Sequence, residues 1–180
     1  ESSGMSGILN RGNSLIDAGF GEDLIEGVAV VNAVTDSGRI AGINNDSSLI
    51  KLGSGEDGLF GEALAAGATS ASGVFSLQGE IDAGAGEDFV FGLGESQGGQ
   101  QVSGVALVSS RLRLGSGEDV IQGLASGGLI NAGVFVDQNS VINAGTGEDS
   151  LLGSGFSTED NSAIRNFGLI KMGRGSDLVD

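Results

Sequence analysis

The sequence predicts an all-β fold, a parallel β-solenoid of about six coils, from three observations. A phrase of the form Ile-x-(Ala/Leu)-Gly-x-Gly-Glu-Asp-x-(apolar)-x-Gly returns with small variations, starting near residues 16, 50, 81, 112, 142 and 170. A period of about 31 residues is typical of a chain built from stacked, similar units. Apolar and polar residues alternate around each copy, which indicates short strands with one buried side. The segments in between are too short and too glycine-rich for helices.

Each repeat is predicted to hold about three short strands. The first is an apolar patch seven to twelve residues before the motif. In the second strand, Ile16 and Ala18 share one face and Asp17 takes the other; in the third, Ile25 is apolar and Glu26 polar. Each strand should pair with its counterpart one coil along, about 4.8 Å away. Right-handed winding is expected from the usual chirality of parallel crossovers.

The chain is predicted to be one elongated domain, residues 1–180, without separate caps. The variable stretches 28–36, 62–72 and 93–101 are expected to be corners that tolerate changes in length. The net charge of −16 argues against nucleic acid or an anionic membrane surface as a partner. No apolar run approaches the roughly 18 residues of a membrane span, so no membrane insertion is expected. Because histidine and cysteine are absent, transition-metal and thiol chemistry are not expected either.

The glycines of each motif indicate a special turn. Glycine takes positive φ without penalty, and such a turn can point several carbonyl groups at one spot. A further glycine, four residues after each aspartate, is expected to close the corner. The turn glycines are Gly19, Gly21, Gly53, Gly55, Gly84, Gly86, Gly115, Gly117, Gly145, Gly147, Gly173 and Gly175.

Stacking should align one aspartate per coil into a column, and the glutamates that precede five of them are expected to belong to the same acidic ladder. Like charges about 4.8 Å apart repel by roughly 1 kcal/mol in water and by several times that at an effective dielectric near 20. A cation between the rungs would relieve this repulsion. Carboxylate and carbonyl oxygens favour Ca²⁺ over zinc or copper, and Mg²⁺ is disfavoured because it retains its waters. The aspartates are Asp23, Asp57, Asp88, Asp119, Asp149 and Asp177.

The segment from Ala18 to Glu26 resembles the haemolysin-type (RTX) calcium-binding nonapeptide, Gly-Gly-x-Gly-x-Asp-x-apolar-x, and residues 83–91 and 144–152 match equally well. The resemblance implies calcium half-sites, in which a turn contributes backbone carbonyls and one aspartate and a neighbouring turn completes the shell. Two features depart from the family. The first glycine is replaced in every copy, and one motif occurs per coil instead of one every nine residues. A wider coil with ions along a single corner is therefore expected.

Two further patterns bear on these predictions. The turns can also be plain tight corners in which the aspartate caps the backbone. Outside the turns, a row of alternating charge is expected to pair oppositely charged groups between neighbouring coils and to fix their register. This row is Asp17, Lys51, Asp82, Arg113, Asn143 and Lys171.

The expected function is that of a calcium-binding, non-enzymatic structural protein, extracellular or at the cell surface, whose subunits stack head to tail into a filament. The alternative is an excised repeat segment of a large secreted adhesin or polysaccharide-modifying enzyme. An enzyme would need a cluster that breaks the repeat; only Glu159-Asp160 lies off the acidic column as a pair, and tyrosine, tryptophan and histidine are absent. Glycans are possible, since Asn45-Asp46-Ser47 is an N-glycosylation-type sequon.

Overall fold

A computed structural model describes residues 5–32, 38–66, 70–157 and 159–180. These residues form 18 strands, numbered here in chain order, in three six-stranded parallel sheets. Sheet A contains β1 (Met5–Arg11), β4 (Arg39–Asp46), β7 (Ser70–Leu77), β10 (Gln101–Val108), β13 (Ile130–Val136) and β16 (Asp160–Asn166). Sheet B contains β2 (Leu15–Phe20), β5 (Leu49–Ser54), β8 (Glu80–Ala85), β11 (Arg111–Ser116), β14 (Val141–Thr146) and β17 (Leu169–Lys171). Sheet C contains β3 (Leu24–Val31), β6 (Gly58–Ala65), β9 (Phe89–Ser96), β12 (Val120–Ser126), β15 (Ser150–Phe156) and β18 (Leu178–Val179).

Each coil contributes one strand to each sheet, so the predicted all-β parallel solenoid is confirmed. Every strand pairs in parallel with its counterpart one coil away, and equivalent residues face one another: Ile50 pairs with Ile16 on one side and with Ile81 on the other. The described part of the chain contains no helix long and apolar enough to cross a membrane.

The core runs the length of the solenoid as columns of aliphatic side chains. Ile50, Ile81, Leu112 and Ile142 form one fully buried column facing the interior from sheet B. The next inward column alternates large and small residues, and its buried members are Leu52, Ala83, Leu114 and Ala144. In both columns the rungs lie about 4.8 Å apart, so equivalent side chains stay in contact from one coil to the next.

The glycines four residues after each aspartate lie inside the sheet C strands, so the prediction that they close a corner is wrong. Gly27 is in the middle of β3, and a Cβ placed there would lie 2.5 Å from the carbonyl oxygen of Gly42 in sheet A. The same contact recurs between Gly61 and Gly73. These glycines therefore let the backbones of sheets A and C touch directly. The equivalents are Gly92, Gly123 and Gly153.

This backbone contact coincides with a division of the buried residues into separate groups. The main cluster contains the large aliphatic side chains of all three sheets. A second cluster is built mainly from alanines, among them Ala63, Ala71 and Ala125, together with Ile40 and Val102. Small residues are required there because the two sheets lie too close together for larger ones.

The predicted corners are shorter than expected. Residues 28–31, 62–65 and 93–96 belong to strands β3, β6 and β9. Of the remaining residues in these stretches, 33–36 and 67–69 lie outside the described part of the chain, 70–72 begin β7, and 97–100 form a bend between β9 and β10. Apolar residues at alternate positions, such as Val28 and Val30, continue the strand pattern past the glycine.

The predicted row of alternating charge has the expected register, but its ion pairs differ. Asp17, Lys51 and Asp82 face one another in consecutive strands. The described residues show no ion pair among them, whereas Arg113 contacts Glu80 across the diagonal at 3.0 Å. Both of these side chains are well exposed, so the contact contributes at most about 1 kcal/mol.

The contact between sheets A and C predicts that Gly123→Ala is strongly destabilising. The added methyl would overlap the carbonyl of Gly133 within the backbone, where no side chain can move aside. We expect a loss of about 1–3 kcal/mol or more in the free energy of unfolding, measured by urea denaturation. Ser126→Ala, at an outward position of the same strand, is the control and should change stability by less than about 0.5 kcal/mol. Equal stability of the two variants would contradict this account of the glycines.

Candidate metal centre

Each coil passes from sheet B to sheet C through the Gly-x-Gly-x-Asp turn. All twelve predicted turn glycines have positive φ, for example 108° at Gly84 and 135° at Gly86. Stacking adds a second requirement, because a Cβ at Gly86 would overlap the carbonyl oxygen of Gly55 one coil earlier. The glycines are thus needed both for the conformation of the turn and for the close stacking of turns.

The aspartates point inward from these turns and are linked from coil to coil. The backbone N–H of each of the first five aspartates donates to Oδ1 of the aspartate one coil later. This distance is 2.8 Å from Asp23 to Asp57, 2.9 Å from Asp88 to Asp119 and 3.1 Å from Asp149 to Asp177. The four middle carboxylates are at most 3% exposed. The side-chain-to-backbone capping weighed as an alternative is therefore present, and it acts between coils.

The second carboxylate oxygen has no such partner. Oδ2 of each of the first five aspartates is buried and accepts no hydrogen bond from any described residue. A buried, unpaired polar atom costs about 1–3 kcal/mol, and more when it carries charge. Each of these coils therefore contains one buried carboxylate oxygen that no described protein group stabilises by a hydrogen bond. The five residues are Asp23, Asp57, Asp88, Asp119 and Asp149.

The glutamates that precede the aspartates form a separate column on the outside. Glu87 and Glu118 are exposed, whereas their neighbours Asp88 and Asp119 are buried. The glutamates and the second turn glycines line an open groove along the corner. The expectation of a single acidic ladder is thus wrong. Because consecutive residues of an extended chain point to opposite sides, the structure contains two columns.

Burial changes the acidity of the inner column. It raises the pKa of Asp88 to about 6, although the hydrogen bond from the Asp57 N–H acts in the opposite direction. The pKa of Asp119 is raised to about 6 for the same reason, and the neighbouring carboxylates add to the effect. The pKa of Asp149 is also raised by burial. These carboxyl groups are therefore easier to protonate than ordinary aspartates.

The oxygen atoms available at the turns are of the chemical type that a hard cation binds. Carboxylate and carbonyl oxygens are the ligands that Ca²⁺ takes, in shells of six to eight. Within the described residues, no group of three Asp, Glu, His or Cys side chains is close enough together to hold one ion. Each ion would therefore rely on one or two aspartate Oδ2 atoms, with turn carbonyls and water completing the shell.

At a second corner, serine side chains accept backbone N–H groups from the preceding coil, as the aspartates do. The sequence reasoning did not predict this serine column. Between sheets A and B, Ser110 Oγ accepts the N–H of Gly79 at 3.2 Å, and Ser140 Oγ accepts the N–H of Ser110 at 3.0 Å. The signal was available, because Ser14, Ser48, Ser110 and Ser140 recur at the repeat period. Serine at this corner links the coils without adding charge.

Buried asparagines extend these links at the start of the solenoid. Asn10 Nδ2 donates to Asn45 Oδ1 at 2.9 Å, and Asn45 Nδ2 donates to the carbonyl of Glu80 at 3.0 Å. Asn45 is fully buried. The sequon asparagine is therefore inaccessible to glycosylation in the folded chain, which argues against that predicted modification.

Two other clusters are packing or ion-pair features. The rings of Phe60 and Phe91, at neighbouring outward positions of β6 and β9, lie 5.9 Å apart, and Phe89 joins them at 5.3 Å from Phe60. Asp160, from the acidic pair off the column, binds Arg165 at 2.6 Å.

Comparison with protein-family models, with curated proteins and with solved structures finds no match. The coil length and the turn are compatible with RTX-like repeats. The relation to that family therefore remains a resemblance carried by the motif and by the solenoid.

The raised pKa values predict that the metal-free chain is more stable in mild acid. A carboxyl group whose folded pKa of about 6 exceeds its ordinary value of 3.8 favours folding when protonated. Stability in EGTA should therefore be highest below about pH 4, fall as the pH rises to about 6 and level off above that. Urea midpoints across this range measure the effect. Asp119→Asn should flatten the profile, and a stability that rises with pH would contradict the prediction.

Proposed function

We propose that this chain is a non-enzymatic structural β-solenoid whose coils are held together by calcium ions along the inner aspartate column. The observation that carries the proposal is the buried, unpaired Oδ2 atom repeated at Asp23, Asp57, Asp88, Asp119 and Asp149. Above a pH of about 6 the carboxyl groups of Asp88 and Asp119 are mostly charged. A divalent cation would offset both the burial of charge and the repulsion between rungs.

Calcium in this role is a structural element. When bound, it supplies positive charge between coils, and the chain supplies the aspartate oxygens and the turn carbonyls. Binding free energy then adds to folding free energy, by about 2.7 kcal/mol at a concentration of 100 Kd for one site. Sites with few carboxylates suit the millimolar calcium outside cells. We therefore place the protein outside the cell or on its surface.

Head-to-tail stacking into a filament extends the same proposal. In the described structure, β1, β2 and β3 are paired on one side only, as are β16, β17 and β18. Stacking a second copy would place Lys171 over Asp17 and Arg174 over the exposed ring of Phe20. The N–H of Asp177 would face Oδ1 of Asp23, which continues the inner column. The alternative remains that the chain is a repeat segment of a larger adhesin or polysaccharide-modifying enzyme.

The regularity of the chain supports a structural role over an enzymatic one. Catalytic carboxylates need different environments so that one can act as acid and another as base. The aspartates of the inner column instead share one environment, and Asp160 is neutralised by Arg165. An assay for depolymerisation of acidic polysaccharides tests the enzymatic alternative directly.

Calcium should raise the thermal unfolding midpoint of the wild-type chain, and Asp119→Asn should reduce this gain. Asparagine retains an oxygen to accept the Asp88 N–H but removes the charge that a cation needs. Glu118→Gln is the matched control, because it removes one charge from the exposed outer column beside the same turn. Circular dichroism melts in EGTA and in millimolar calcium provide the measurement. If Glu118→Gln lost the calcium response and Asp119→Asn kept it, ions would bind the outer column and the proposal would fail.

If copies stack through their ends, calcium should lengthen the assemblies seen by electron microscopy and EGTA should shorten them. Lys171→Glu should shorten them in calcium, because the substitution would set two acids against each other at the junction. Lys51→Glu, in the same row inside the solenoid, is the control and should leave length unchanged. Particles of single-subunit length in both media would rule out the filament while leaving the calcium proposal open to its own test.

A further inference from the structure

The outer face of sheet C, meaning the outward side chains of β3, β6, β9, β12 and β15, is unusually apolar. Outward positions of its middle strands carry Phe89, Phe91 and Leu93 in β9 and Val120 and Leu124 in β12. They are half-buried by their neighbours along each row and remain open to solvent. At the first coil the exposure rises to 63% at Leu24 and 45% at Val28.

The outer face of sheet B provides an internal comparison. Its central row is the alternating series that includes Asp17, Lys51, Asp82 and Arg113, as expected of a solvated surface. Parallel sheets are normally covered on both faces, and large apolar patches on a soluble protein mark binding sites. The difference between two faces of one solenoid therefore indicates that sheet C is covered by a partner.

We propose that the partner is a second copy of this chain, packed face to face on sheet C with its coils running in the opposite direction. The two-fold axis would lie parallel to the strands, between β9 and β12. This places β9 against β12 of the second copy and β6 against β15. Phe89 then faces Val120 of the second copy, and Leu93 faces Leu124.

The polar residues of the face support this arrangement. Glu95 is one row beyond Leu93, and it would meet Ser126 of the second copy; Glu62 would meet Ser154. No acid in β6, β9, β12 or β15 would then oppose another acid, and Glu26 of β3 would face Asp180 of the second copy only at the solvent-exposed edge of the face. With the coils running the same way, Glu62 would instead lie on Phe60 and Glu95 on Phe89, which buries carboxylates against rings. The chemistry of the face thus favours the antiparallel pair.

The available area is sufficient for a stable dimer. The six strands of sheet C hold 40 residues, and at about 3.3 Å per residue and about 4.8 Å between strands they form a flat face of about 600 Å² per copy. Two such faces bury at least about 1,200 Å², the lower bound for a specific interface. Because each copy carries a net charge of −16, added salt should strengthen the pairing by screening the repulsion.

Sedimentation velocity in EGTA and 0.3 M salt tests the pairing without any contribution from calcium. The wild type should sediment at twice its chain mass of 17.8 kDa. Leu93→Lys should weaken association at least 100-fold, because it places a charge at the centre of the face. Leu49→Lys is the matched control: the same change at a half-buried outward position of sheet B should leave the dimer intact. Circular dichroism confirms that both variants fold.

The relative direction of the copies can be measured with one spin label, since the chain contains no cysteine. A label on Val28→Cys in β3 should give a label-to-label separation near 26 Å for opposite directions, from five strand spacings and a gap of about 10 Å between sheets. The same direction would give about 12 Å and would overturn the arrangement. A monomeric wild type, or a dimer unaffected by Leu93→Lys, would overturn the proposal and assign the face to a different partner. Because these measurements are made in EGTA, their outcome tests the dimer independently of the calcium proposal.

Discussion

One buried carboxylate per coil is the constraint to which the rest of the structure responds. Because the coils stack in parallel and in register, a residue at one position of the repeat recurs at the same position in every coil. A single unfavourable group therefore becomes a column of such groups. Each of the four middle aspartates is satisfied on one oxygen by the N–H of the preceding coil, as between Asp119 and Asp88. The other oxygen is left without a described partner. The column thus links the coils through hydrogen bonds. It also buries one unpartnered carboxylate oxygen per coil, which a proton or a cation would stabilise.

The two sets of glycines serve this stacking in different ways. At the turns, positive φ and close approach act together, so that the carbonyl of Gly55 lies against the backbone of Gly86 in the next coil. Inside the sheet C strands, Gly61 has ordinary φ, and only the approach of Gly73 from sheet A excludes a side chain. The first set shapes the corner that holds the aspartates. The second narrows the solenoid, so that alanines suffice to fill its thinner part.

Sequence reasoning predicted the features that follow from period and alternation. The three parallel sheets, the equivalence of Ile16, Ile50 and Ile81, and the positive φ of the turn glycines all follow from the repeat. It did not predict the separation of Glu118 from Asp119, because spacing along the chain shows that residues stack but not which side of a turn they occupy. The contact between Gly61 and Gly73 was also missed. Such a contact depends on how two sheets converge in space, and a glycine beside an apolar run resembles a corner in sequence.

Positions at which the side chain differs from coil to coil indicate where the solenoid can recognise a specific partner. The inner column is nearly uniform from Asp57 to Asp149, so it would offer a cation the same environment at each level but cannot distinguish one partner from another. Variation lies on the outer faces instead. Charges alternate along sheet B, whereas Gly58 in sheet C leaves space against which Phe60 packs. Selection of a partner is therefore expected on the outside of the solenoid, and the interior is expected to set only its stability. Under the proposed function, calcium would determine whether the solenoid is rigid, and the outer faces would determine what it assembles with.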